Sequence, residues 1–182
     1  MPKNRSQNKI GILAIQGSFA EHARILRRLR APFELIRAPQ ALQQTTHLII
    51  PGGESTTLVS LLKKFALWPI LQKKSQDGSL KIFGTCAGAI ICSRLGMNIQ
   101  IQRNGYGAQQ DSFVDKLDSE LFPGLTGVFI RAPKIINAGI DVQILATHQK
   151  NPVLARQNNF LASCFHPELT GETRLHQYFL KI

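Results

Sequence analysis

Three short stretches of this chain carry residue types that could do chemistry together. FGTCAGAI places Cys86 between Gly84 and Gly88, directly after the apolar run LKIF and directly before a segment with helical character. A G-x-C-x-G sequence at a strand-to-helix junction has the form of a nucleophile elbow, a tight turn that lifts a side chain out of a sheet. It also sets the thiol at a helix N-terminus, where unpaired N–H groups favour the thiolate. A thiolate that attacks a carbonyl needs a base that later serves as acid, and a group that orients that base. Of five histidines, His166 has the most suggestive setting: it ends the run FLASCF, precedes a proline and has Glu168 two residues on. The other four sit on helices (His22, His176) or at strand ends (His47, His148) and read as satisfied or solvated. In PGGES, Gly52 and Gly53 follow the strand HLII, so that the Gly53 N–H, together with that of Ala87, could receive a developing oxyanion. Taken singly, each stretch has a plain structural reading: a small buried cysteine, a strand end and an ordinary turn. Together they fit acyl transfer through a thioester.

The elements that must position these residues alternate in the first half. IGILAIQG is an apolar run ending in glycine, the pattern of a strand covered on both faces. His22, Ile25, Leu26 and Leu29 then form a helical stripe, FELIRA and HLII read as strands, and Leu58, Leu61, Leu62 and Phe65 repeat the helical spacing, with Ser55 or Thr56 as N-cap. LKIFGT and AGAIICSRL complete the pattern. Strand and helix alternating at this spacing predict a largely parallel sheet flanked by helices in three layers, a flavodoxin-like α/β architecture with ligands at the carboxyl ends of the strands. The second half turns to short β-rich runs (NIQIQ, DSFV, GVFIRA, VQILATH, PVLARQ, FLASCFH), several expected to be antiparallel, before a last helix in ETRLHQYFLKI.

A chain of 182 residues, 43% of them hydrophobic, fits one domain over 1–182, with 1–9 as a flexible basic start. Lys and Arg outnumber Asp and Glu by 22 to 11, a formal net charge of +11, but the clusters Arg24, Arg27, Arg28, Arg30, Lys63-Lys64 and Lys73-Lys74 lie on amphipathic helices and read as solvated faces, not as a nucleic-acid surface. Cys86, Cys92 and Cys164 form no disulfide framework, and neither they nor the histidines have metal-ligand spacing, so no metal or cofactor is expected. Cys92 and Cys164 read as core. No run approaches the roughly 20 apolar residues that span a bilayer, and a soluble, cytoplasmic protein is expected.

At these residues the sequence resembles the class I, triad-type glutamine amidotransferases, and within them the glutaminase subunits of pyridoxal 5′-phosphate synthase. The stretches that carry the resemblance are GILAIQGSFAEH, LIIPGGESTT, FGTCAGAII, QRNGYG with DSF, VFIRAP, FLASCFHPELT and TRLHQYF. The resemblance implies hydrolysis of L-glutamine to glutamate and ammonia. Cys86 would be the nucleophile, His166 the proton carrier and Glu168 its orienting partner, with Gly52, Gly53, Glu54, Arg103, Ile130 and Arg131 around the substrate. It also implies transfer of the ammonia to a separate (β/α)₈-barrel synthase subunit. The chain departs from the family pattern in RNGYGAQ, where Tyr106 and Ala108 stand for phenylalanine and arginine, in Lys134, where histidine is common, and in a shorter segment between the Cys86 helix and Arg103. Two other readings keep some of the same features: a cysteine-elbow hydrolase or deglycase with another substrate, or a catalytically silent basic binding subunit.

Overall fold

Burial of all four residues of strand β1 (Ile10–Leu13) shows that its sheet is covered on both faces. In the computed structural model, which describes residues 8–105 and 112–182, β1 lies between β2 (Phe33–Ile36) and β3 (His47–Ile50), followed by β4 (Lys81–Thr85), β11 (Phe160–Ser163), β10 (Asn151–Gln157) and β9 (Gln143–His148). The order is β2-β1-β3-β4-β11-β10-β9. Neighbours from β2 to β11 are parallel, while β10 runs against both β11 and β9. The chain leaves β1 in one direction to make β2 and returns past it to make β3, so the sheet has a switch point between β1 and β3, where ligands of such sheets bind.

Helices α1 (Phe19–Arg28), α2 (Pro39–Gln44), α3 (Ser55–Lys64), α4 (Trp68–Gln76) and α5 (Ala87–Arg94) make the crossovers between the parallel strands, and α6 (Arg174–Phe179) ends the chain. The stripe expected on α1 is present: His22, Ile25 and Leu26 are buried. Helices α2 and α4 each carry proline in the first turn, where its missing N–H costs nothing. The cap of α3 differs from expectation. Glu54, not Ser55 or Thr56, is the N-cap, its carboxylate accepting from the Thr56 and Thr57 backbone N–H groups at 2.9 and 2.6 Å. A carboxylate is favoured there because it meets the positive end of the helix as well as the free donors.

Much of the clustered positive charge also has a local explanation. Arg27-Arg28, Lys63-Lys64 and Lys73-Lys74 fall in the last turns of α1, α3 and α4, where cations complement the helix dipole. Lys74 is not a solvated charge, since its Nζ donates to the carbonyls of Leu42, Gln43 and Thr45 and so closes the end of α2.

The β-rich second half divides between the main sheet and two antiparallel pairs. Strand β5 (Ile99–Gln102) pairs with β8 (Lys134–Ala138), and β6 (Phe113–Lys116) with β7 (Thr126–Phe129). The run FLAS is not among the antiparallel additions but pairs parallel with β4, which extends the parallel core by one strand. Tyr106 and Ala108 lie outside the described residues; Lys134 begins β8 and packs its Cβ against Gly105. No helix of the described residues is long and apolar enough to cross a membrane.

The junction of β4 with α5 depends on close backbone approach. A methyl group added at Gly88 would run into the Ile50 carbonyl oxygen of β3, and one at Gly84 into the Gly88 carbonyl and the Cys92 sulfur. Gly88→Ala is therefore expected to destabilise the fold by about 1–3 kcal/mol, as overpacking of a rigid contact does. Denaturant titration checks this; a change below about 0.5 kcal/mol, the size of an ordinary surface substitution, would show that α5 can lift away freely.

Candidate active site

Cys86 sits between the last residue of β4 and the first of α5 with φ 50° and ψ −110°, a backbone conformation in which a non-glycine residue is strained. The turn is held from both sides: the Cys86 N–H donates to the Ser163 carbonyl at 2.8 Å, and its own carbonyl accepts from Ala89 N–H at 3.0 Å. The flanking glycines serve differently from what the sequence alone suggests. The positive φ falls on Cys86 itself, and Gly84 and Gly88 supply clearance for helix and strand to meet. The outcome is still an elbow that sets the side chain beyond the sheet edge at the start of a helix. Cys92 and Cys164 are fully buried, and burial pushes each thiol up to about 12, in keeping with core roles.

On the neighbouring strand, β11 stops at Ser163 and the chain bends into His166, whose N–H donates to the Val128 carbonyl at 2.9 Å. Pro167 opens a short 3-10 turn (Pro167–Leu169), which swings Glu168 back under the imidazole. The His166 Nδ1–H donates to Glu168 Oε1 at 2.7 Å, leaving the other ring nitrogen as the only one available to a reacting group. A methyl group added at Gly52 would lie 3.0 Å from Cys86 Cβ and 3.1 Å from His166 Nδ1, so cysteine and histidine face each other across that glycine.

The Glu168 carboxylate is almost completely buried. Ser18, in the loop after β1, donates its hydroxyl to Oε1 at 2.7 Å, and His22 Nε2 lies 3.5 Å from Oε2. Burial would push the carboxyl up, but His22 and the hydrogen bonds from His166 and Ser18 outweigh it and hold Glu168 below the usual carboxylate range. His22 is itself pushed down by burial, against the pull of the Glu168 charge. For His166, burial acts to lower the pKa, and the hydrogen bonds and charges of Cys86 and Glu168 reverse this, placing the imidazole above its ordinary range. The arrangement favours an imidazolium against the Glu168 carboxylate.

A cavity of about 350 Å³ opens above this pair. Gly52, Gly53, Glu54, Cys86, Ala87, Arg103, Ile130, Arg131 and His166 all line it, so every residue singled out by sequence faces one space except Glu168, which stands behind His166. Arg103 is tied to the rim: its guanidinium donates to Glu54 Oε1 and to Thr56 Oγ1, each at 3.0 Å. Arg131 has φ 45°, a turn after β7 that leaves the Ile130 carbonyl 3.9 Å from Cys86 Sγ. The Gly52 carbonyl accepts from the Ser18 N–H at 3.2 Å, and in a planar trans peptide this turns the Gly53 N–H away from Ser18. Among the described residues no group of three or more His, Cys, Asp or Glu is placed to hold a metal ion.

Comparison with known proteins gives this geometry its context. A sequence profile of the SNO glutamine amidotransferase family matches residues 12–182. The chain belongs to that family. It is 42% identical over 185 aligned positions to the pyridoxal 5′-phosphate synthase subunit PdxT of Thermosipho africanus, an alignment covering 96% of this chain and 98% of the relative. It is 45% identical to the protein of the same name from Pelotomaculum thermopropionicum, covering 95% and 94%. A solved glutamine amidotransferase structure superposes with a TM-score of 0.88 at 42% identity, over 94% of this chain and 97% of that one. PurLQS of Thermotoga maritima, at 15% identity and a TM-score of 0.69 over 96% of this chain, shares the fold.

Ser18 and His22 were not legible as site residues. Ser18 reaches Glu168 across 150 positions of sequence, a contact that the strand order alone creates. The GILAIQGSFAEH stretch contains both residues, but nothing in its apolar pattern separates them from an ordinary helix start.

The two shifts give opposite pH windows. The stabilisation carried by Glu168 is present above its unfolded value, about 4.3, and is lost as pH falls toward its depressed folded value. That carried by His166 is complete below its unfolded value, about 6.5, and is lost as pH rises through its raised folded value. Glu168→Gln should flatten both slopes, so that the wild-type advantage, on the order of 1–3 kcal/mol at pH 6, shrinks toward either extreme. Unfolding free energies measured across pH test this; parallel curves for the two proteins would contradict it.

Proposed function

We propose that this chain is the glutaminase partner in pyridoxal 5′-phosphate synthesis, hydrolysing L-glutamine to L-glutamate and ammonia on Cys86. The observation that carries the reading is the facing of an elbow cysteine and a glutamate-held histidine across Gly52, in a chain of the SNO glutamine amidotransferase family.

In the first half-reaction the Cys86 thiolate attacks the side-chain amide carbon of glutamine. The oxygen that gains charge is met by the N–H groups of Gly53 and Ala87, the second of which opens helix α5. His166 delivers a proton to the amide nitrogen, the C–N bond breaks and ammonia leaves, which yields a glutamyl thioester on Cys86. In the second, neutral His166 takes a proton from water as its oxygen attacks the thioester carbon; the C–S bond breaks, glutamate leaves, and thiolate and imidazolium are restored. Glu168 keeps the ring oriented with its outer nitrogen toward the reacting atoms throughout.

Substrate recognition falls to the rim. Glu54 is pinned by its capping bonds and by Arg103, which leaves its remaining lone pairs to meet the ammonium of glutamine, while the free edge of the Arg103 guanidinium suits the α-carboxylate. The Ile130 carbonyl and the backbone at Arg131 close the opposite wall. By analogy with the relatives named as pyridoxal 5′-phosphate synthase subunits, the ammonia passes to a (β/α)₈-barrel synthase subunit in a cytoplasmic complex. The buried apolar residues join into a single core, which supports one glutaminase domain over 1–182.

Cys86→Ala should reduce glutamate release, assayed with a pyridoxal-phosphate synthase subunit present, by at least about a thousandfold while the protein stays folded and still binds that subunit. Release at the wild-type rate would remove Cys86 as nucleophile. At the rim, Arg103→Ala should raise the KM for glutamine by on the order of tenfold and leave kcat within about threefold, the signature of lost ground-state binding. An unchanged KM would remove Arg103 from the substrate site.

A further inference from the structure

Behind Glu168, on the side away from the cavity, lies a buried polar chain for which the hydrolysis scheme has no use. His22 of α1 and His176 of α6 are both fully buried, with His22 Nδ1 2.8 Å from His176 Nε2. His22 Nε2 is 3.2 Å from Thr85 Oγ1, on the residue before the nucleophile, and 3.5 Å from Glu168 Oε2. Phe83 packs edge-on against both imidazoles and holds their planes.

The proton positions follow from the partners. An ionised carboxylate only accepts and a hydroxyl can accept, so a hydrogen on His22 Nε2 suits both of its neighbours, Glu168 Oε2 and Thr85 Oγ1. With the hydrogen on Nε2 and burial opposing a second one, His22 Nδ1 is bare and accepts from His176 Nε2–H at 2.8 Å. Neutral His176 is left with a bare Nδ1, and that atom is a buried ring nitrogen that finds no hydrogen-bond partner among the described residues. The chain thus runs one way: His176 Nε2–H to His22, then His22 Nε2–H toward Glu168.

Glu168 needs this donor. Its Oε1 receives both Ser18 and His166, whereas Oε2 finds no hydrogen-bond partner among the described residues; His22 Nε2, bonded to Thr85 Oγ1 at 3.2 Å, lies 3.5 Å from it. An unassisted, fully buried carboxylate oxygen would favour protonation of the acid. A protonated Glu168 would no longer hold a positive His166.

We propose that His22, backed by His176, is a positioning residue for glutamine hydrolysis: it presents Nε2–H to Glu168 Oε2 and so keeps the carboxylate ionised and turned toward His166. This rests on the glutaminase reading of Cys86, His166 and Glu168. The groups that face Glu168 are His166 from its own turn, Ser18 from the β1–α1 loop and His22 from α1; those that face His22 are Glu168, His166, Thr85 and His176, with Glu21 beside it on α1.

The test compares His22→Leu, which keeps bulk and removes the donor, with His22→Gln, whose amide nitrogen reaches near the position of Nε2. Glutamate release is measured from pH 5 to 10 in the complex with the synthase subunit. His22→Leu should lose about tenfold or more in kcat with KM within about twofold, and the acid limb of its kcat profile should move to higher pH as Glu168 becomes easier to protonate. His22→Gln should recover most of kcat and return the acid limb toward its wild-type position. A folded His22→Leu with wild-type kcat and acid limb would overturn the role, as would a His22→Gln no better than His22→Leu with neither limb moved, which marks simple packing.

Should His22→Leu fail to fold, nitrogen-15 NMR of the histidine side chains in the wild-type protein decides. The expected result is the Nε2–H tautomer for both His22 and His176; an Nδ1–H tautomer at His22 would overturn the proposal. Wild-type protein that releases no glutamate with the synthase subunit overturns the glutaminase reading and this role with it, whereas active wild type with an unaffected His22→Leu overturns the role alone.

Discussion

A carboxylate with no exposed side-chain surface is the constraint around which this structure is organised. Removing the Glu168 charge from water is costly unless polar groups replace the solvent, and these come from three separate parts of the chain: hydrogen bonds from His166 two residues away and from Ser18 after β1, and His22 Nε2 on α1, 3.5 Å away. Each is delivered by a different element, so the charge is stable only when β1, α1 and β11 are all in place. A group with that dependence couples the geometry of Cys86 and His166 to the assembly of the whole sheet.

The parallel strands explain how distant residues arrive at one place. Strands β1, β3, β4 and β11 are successive neighbours, and their carboxyl ends bear Ser18, Gly52 with Gly53, Cys86, and His166. Strain is concentrated at one residue of this edge. Cys86 is held in its unfavourable conformation by hydrogen bonds to Ser163 and Ala89, while Gly84 and Gly88 let α5 sit against β3 and β4 without clash. A thiol displayed in this way needs little rearrangement to reach a bound carbonyl, because the fold holds it in place before substrate arrives.

Sequence disclosed the residues that meet at the cavity better than it disclosed their support. The G-x-C-x-G spacing and His-x-Glu are local, and local geometry decides both the elbow and the His166–Glu168 bond. The apolar runs of β1, β3 and β4 were equally readable, since strands buried on both faces have few alternatives. The sequence places the N-cap of α3 at Ser55 or Thr56, one or two residues late, because serine and threonine are the usual cap residues and Glu54 is not of a preferred type. His22 and Ser18 were out of reach for a different reason. Their partners lie about as far away in sequence as the chain allows, and their residue types are ordinary for the start of an amphipathic helix.

The central claim is that Cys86 takes up an acyl group from glutamine while the other two thiols are inert. It is tested most directly by treating the folded chain, in complex with the synthase subunit, with a chloroketone analogue of glutamine, which alkylates a nucleophile with loss of chloride, and locating the adduct by mass spectrometry. The account predicts one adduct, on the peptide containing Cys86, with its formation slowed by L-glutamine; Cys92 and Cys164, buried and pushed up to about 12, should stay unmodified. Labelling at Cys92 or Cys164 in place of Cys86, or labelling of Cys86 that glutamine does not slow, would contradict it.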